Sequence, residues 1–157
     1  MERGTAMKRC LCALLLMASL FGGISLAVSD QTRRLVLVTN ANSSIRNLTA
    51  GETRRLFLGL PVSKDGHPLE AVINRSDPFL YQVFLQKIVF MSSSVYERHL
   101  LTNVVQMGGQ RPPSFTDAHS LVKALDKSPD TVAVMWEDQA RASQLTILGE
   151  IWHGTED

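Results

Sequence analysis

Leu35-Val36-Leu37-Val38 is an unbroken apolar run between Arg34 and Asn40. Successive side chains on a strand point to opposite faces, so a strand with one wet face alternates apolar and polar residues. A run without alternation reads as a strand, Arg34–Asn40, buried on both faces, as in the centre of an α/β sheet. The rest of the chain must then supply layers to cover it.

Those layers are legible downstream. Asn40–Asn47 is a polar loop, and Thr49-Ala50-Gly51-Glu52 is a capping box. It opens a short helix through Leu56, Phe57 and Leu58, stopped by Gly59 and Pro61. Asp65-Gly66 marks a turn. Leu69–Asn74 is a second strand with Leu69, Ala71 and Ile73 on one side. Ser76 or Asp77 caps a helix starting at Pro78, where a missing N–H costs nothing. Its apolar positions, Phe79, Leu80, Val83, Phe84 and Ile88, keep the 3.6-residue period. Ser94…Glu97 forms a second capping box for a helix striped by Leu100, Leu101, Val104 and Val105 and ended by Gly108-Gly109. After the stiff Pro112-Pro113 connection, Thr116 caps a helix carrying Ala118, Leu121, Val122 and Leu125, ended by Ser128-Pro129. Thr131–Trp136 and Leu145–Leu148 are further strands. Strands alternating with single or paired helices make the class α/β, with a mixed, partly parallel sheet flanked by helices.

The first 27 residues stand apart. Lys8 and Arg9 precede an uncharged apolar stretch, Cys10 to Leu20, and Ser25-Leu26-Ala27 puts small residues at the −3 and −1 positions of a cut after Ala27. This is the pattern of a cleaved signal peptide. The competing reading is a retained anchor helix, for which Cys10–Val28 is barely long enough. Both cysteines lie in this segment, so the exported product has no disulfide. The chain thus divides into a leader, residues 1–27, and one domain, residues 28–157. Without Glu2, Arg3, Lys8 and Arg9, 13 basic and 14 acidic side chains remain, a net charge of −1. Such a balance gives no steering field for nucleic acid.

Chemistry concentrates at Asn74-Arg75-Ser76-Asp77, where a strand meets a helix. A helix start offers free N–H groups and a partial positive charge. Arg75 adds a planar fork, Ser76 a hydroxyl, and Asp77 an acceptor for the proton of a monoprotonated anion. Together they suit a phosphate, sulfate or carboxylate. The same residues also suit plain helix capping, with Arg75 a solvated charge. His67, His99, His119 and His153 show no metal-ligand spacing, and neither a G-x-S-x-G elbow nor a phosphate loop is present. The expectation is a protein without metal, cofactor or catalysis.

Leu48-Thr49…Glu52…Arg55-Leu56-Phe57-Leu58-Gly59 resembles the L-[ST]-x-x-E-[LV]-x-x-I-F-L-G segment of small bacterial PstS-like proteins, relatives of the type II periplasmic binding proteins of phosphate ABC transporters. Arg75-Ser76-Asp77 matches the start of that family's R-S-D-G-S-G-T anion loop, and Gly108-Gly109-Gln110-Arg111-Pro112-Pro113 resembles its G-x-x-x-P-P loop. Tyr96-Glu97-Arg98-His99 resembles its Y-W helix without the tryptophan, and Pro78-Phe79-Leu80 replaces G-S-G-T. The resemblance implies a shortened type II binding-protein fold in the periplasm. It also implies phosphate or a similar oxyanion as ligand at Arg75, Ser76 and Asp77, with a membrane transporter or sensor protein as partner. The lost G-S-G-T favours the alternative, a ligand-free periplasmic accessory or sensory interaction domain of a signalling or transport system.

Overall fold

The computed structural model of the chain describes residues 32–107 and 111–155. The leader and the Gly108-Gly109 stop lie outside the described residues. In chain order the elements begin with β1 (Arg33–Thr39), α1 (Ala50–Phe57), and the two-residue strands β2 (Ser63–Lys64) and β3 (His67–Pro68). Next come β4 (Glu70–Ala71), β5 (Ile73–Asn74), α2 (Pro78–Phe84) continuing as a π-helical turn over Leu85–Val89, and α3 (Ser93–Met107). The remainder is β6 (Ser114–Phe115), α4 (Ala118–Lys127), β7 (Thr131–Trp136), α5 (Glu137–Ala142) and β8 (Thr146–Gly154).

The main sheet has the order β4-β7-β1-β8. The apolar run lies in β1, antiparallel to both neighbours, with Leu37 opposite Val134 on one side and Gly149 on the other. β4 lies parallel to β7, with Ala71 opposite Val132. The sheet is therefore mixed and partly parallel. Leu35 and Leu37 face one buried cluster with Val134 and Trp136, closed by Phe57 of α1, Leu80 and Phe84 of α2, and Tyr96 and Leu100 of α3. Val36 and Val38 face the other with Ala133 and Met135, closed by Leu121 and Leu125 of α4 and Ala140 of α5. An unbroken apolar strand between two helical layers follows from this two-sided cover. Fully burying each such aliphatic side chain stabilises the fold by roughly 1.5–3 kcal/mol.

Local chemistry fixes the element ends. The Thr49 box forms as expected: the Thr49 hydroxyl accepts from Glu52 N, and the Glu52 carboxylate accepts from Thr49 N at 2.8 Å. Asp65 (φ 50°) and Gly66 (φ 83°) make the turn between β2 and β3, with Gly66 free of the Cβ clash that this backbone imposes.

Four expectations need correction. The strand expected over Leu69–Asn74 is split, because β4 pairs with β7 whereas β5 leaves the main sheet to pair with β6, Ile73 opposite Ser114. The α4 cap is Asp117, whose Oδ1 accepts from Ser120 N at 2.8 Å, not Thr116. α3 starts before Ser94, at Ser93, so Ser94 lies inside the first turn, and Glu97 bonds away from the helix. The last strand continues to Gly154, six residues past Leu148, through two register shifts against β1.

Candidate functional site

The junction between β5 and α2 is built around Asn74, whose side chain is buried. Its Nδ2 donates to Val134 O of β7 at 3.0 Å, while its Oδ1 accepts from Ser76 N at 3.0 Å and from Ser76 Oγ at 2.7 Å. A short polar side chain thus bends the strand end back on itself and ties it to the main sheet.

Asp77 is the N-cap of α2. Its Oδ1 accepts from Phe79 N at 2.8 Å and Leu80 N at 3.1 Å. Its Oδ2 accepts from Trp136 Nε1 at 2.7 Å and pairs with Arg33 Nη1 at 3.2 Å. Arg33 in turn lies over the Trp136 ring, 4.0 Å from its centre, and Phe79 stacks on the same indole. Burial pushes the Asp77 pKa up, but the Trp136, Leu80 and Phe79 N–H groups and the Arg33 charge outweigh it and hold the carboxyl below its ordinary range.

Arg75 turns the other way. Its guanidinium lies 4.6 Å from the centre of the Tyr81 ring, and Nη1 reaches Glu97 Oε1 at 3.1 Å. The second Glu97 oxygen is bound by Arg111 Nη2. The Tyr81 hydroxyl is buried without a hydrogen-bond partner. Nearby, Tyr96 OH donates to Phe57 O at 2.6 Å, and burial pushes the Tyr96 pKa well up.

The three sequence-predicted residues are therefore neighbours, each facing an internal partner. Two N–H groups at the start of α2 bond the Asp77 carboxylate, the Ser76 proton goes to Asn74, and Arg75 meets Glu97. Glu97, Arg111, Tyr81, Arg33 and Trp136 were not singled out as site residues from sequence. The signal for Glu97 and Arg111 lay in the two family-like segments that contain them. A surface cavity of about 410 Å³ is lined by Leu56, Leu60, Leu69, Asn103, Arg111 and Pro113 among others. Asn103 is bonded to Leu58 O at 2.8 Å, and Arg111 is bonded to Glu97. Among the described residues no cluster of His, Cys, Asp or Glu could hold a metal ion. No helix among them is long and apolar enough to cross a membrane.

No family model matches the chain, and no curated protein sequence does. Solved structures do. PstS from Borrelia burgdorferi superposes with a TM-score of 0.55 at 11% identity, over 75% of this chain and 47% of its own. A phosphate ABC transporter substrate-binding protein of Clostridium perfringens, solved with bound phosphate, gives 0.55 at 10% identity, over 74% and 44%. The fold is that of part of a PstS-type protein. The expected architecture is borne out, as a mixed sheet with flanking helices that covers a portion of such proteins. The chain spans less than half the length of these PstS-type structures.

Proposed function

We propose that the chain is an exported, non-catalytic accessory module of the PstS-type fold that acts by contact with a membrane transporter or sensor protein, with its anion loop closed by its own side chains. One observation carries this reading: the Asp77 carboxylate already occupies the Phe79 and Leu80 N–H groups at the start of α2. A free oxyanion would have to displace a covalently attached carboxylate that also holds Trp136 Nε1. The leader-like first 27 residues support export, and the fold likeness supports a place beside a transport system.

A second reading has its own support: Arg75, Ser76 and Asp77 stand together at the opening of a helix, in a fold shared with a structure that holds phosphate. In that reading the module binds phosphate or a related oxyanion there and presents it to a transporter. Thermal melting with inorganic phosphate separates the two. Ligand at 100 times its Kd adds about 2.7 kcal/mol, or roughly 8 °C for a domain of this size. Unchanged melting at millimolar phosphate supports the closed module, and a rise of that order overturns it in favour of the anion receptor.

A further inference from the structure

The Glu97 carboxylate is the feature that capping leaves unexplained. It sits at the fifth position of α3, where it could have served the helix start, yet both oxygens reach outward. One meets Arg75 from the β5–α2 junction, the other Arg111 from the segment before β6. Two guanidiniums from separate elements thus converge on one carboxylate, each holding a different oxygen. This is the geometry in which a compact oxyanion is bound.

We propose that Glu97 is a tethered stand-in for an anionic ligand, filling a latent oxyanion site whose walls are Arg75 and Arg111. The inference rests on the reading that the parent chain takes up no free anion. The walls would outlast loss of the carboxylate charge, because Arg75 is also supported by its stacking on Tyr81. Covalent attachment gives Glu97 an effective concentration in the millimolar range or above, so a free anion below that level does not displace it. Once the carboxylate is neutral, the two cations are left facing each other, and their repulsion is relieved by any small oxyanion. The ligand class is therefore a compact oxyanion, with inorganic phosphate as the probe.

The experiment compares the parent with Glu97→Gln, a neutral side chain of the same shape, by calorimetric titration with inorganic phosphate at constant ionic strength. The expected result is no heat from the parent and millimolar or tighter binding by Glu97→Gln, abolished again when Arg111→Met is added. A folded Glu97→Gln that ignores phosphate, alongside a parent that also ignores it, overturns the stand-in role and leaves the closed-module reading intact. A parent that binds phosphate overturns the closed-module reading. The stand-in role, which rests on that reading, then falls with it. If Glu97→Gln is unfolded in buffer, circular dichroism must show refolding by phosphate, and failure to refold overturns the proposal.

Discussion

Asp77→Ala tests the account of the β5–α2 junction most directly. The substitution removes the acceptor for Phe79 N and Leu80 N, an N-cap contribution of about 1 kcal/mol. It also leaves the N–H of Trp136, a fully buried residue, without its acceptor at 2.7 Å, which costs about 1–2 kcal/mol. The Arg33 pair is roughly a quarter exposed on each side and adds less than about 1 kcal/mol. The expected loss is about 3 kcal/mol, or roughly 10 °C in melting temperature. Asp77→Asn keeps an oxygen for the helix N–H groups but turns an amide toward Trp136 Nε1, so about half of that loss is expected. Urea unfolding followed by tryptophan fluorescence reads both variants, provided the slope of the transition stays that of the parent. A loss below about 1 kcal/mol for Asp77→Ala would refute the argument, because it would mean that Trp136 and the helix start find other partners without cost.

Acid should act through the same carboxylate. Its pKa is depressed in the fold, so its stabilisation is present above the unfolded value of 3.8 and is lost as pH falls through 3.8 toward the folded value. The urea midpoint of the parent should drop through that window, and that of Asp77→Ala should drop less. Glu52, whose pKa the Thr49 N–H, the Thr49 hydroxyl and Lys64 lower from 4.5 to about 2, should add to the same acid limb; Glu52→Gln should shorten it. Tyr96→Phe should lower stability by about 1–2 kcal/mol in a thermal melt, because it leaves Phe57 O without the hydroxyl at 2.6 Å. Gly154→Ala would put a Cβ 2.4 Å from the Trp152 ring, so the ring must move. A destabilisation of about 1–3 kcal/mol with a shifted native tryptophan emission is expected.

Most of the fold was legible because its signals are local. The apolar run gave β1, the spacing of Leu69, Ala71 and Ile73 gave their shared face, and Thr49…Glu52 gave the start of α1. What was hidden depends on partners far along the chain. Nothing near Val72 says that the strand changes partner there; β6, about forty positions later, decides it. β8 was truncated because Glu150 and His153 break its apolar pattern, yet it stays paired with β1 to Gly154 across two register shifts. Thr116 and Asp117 are both good capping residues, and the choice between them turns on one residue of register. At the site, adjacency placed Arg75, Ser76 and Asp77 together, but Glu97 lies 22 positions from Arg75 and looked like a capping residue from its own neighbours. A residue's partner across space has no local trace in such cases.

The place of β1 in the chain has a consequence for how the domain acquires its structure. The central strand is synthesised first among the described strands, yet its partners β7 and β8 come last; the Thr39 hydroxyl bonds to a carbonyl 92 positions away. Closing so long a loop has to precede any gain from pairing. A ribosome making this chain therefore releases the apolar run long before the strands that pair with it, and β1 has no partner strand until the last third of the chain has emerged.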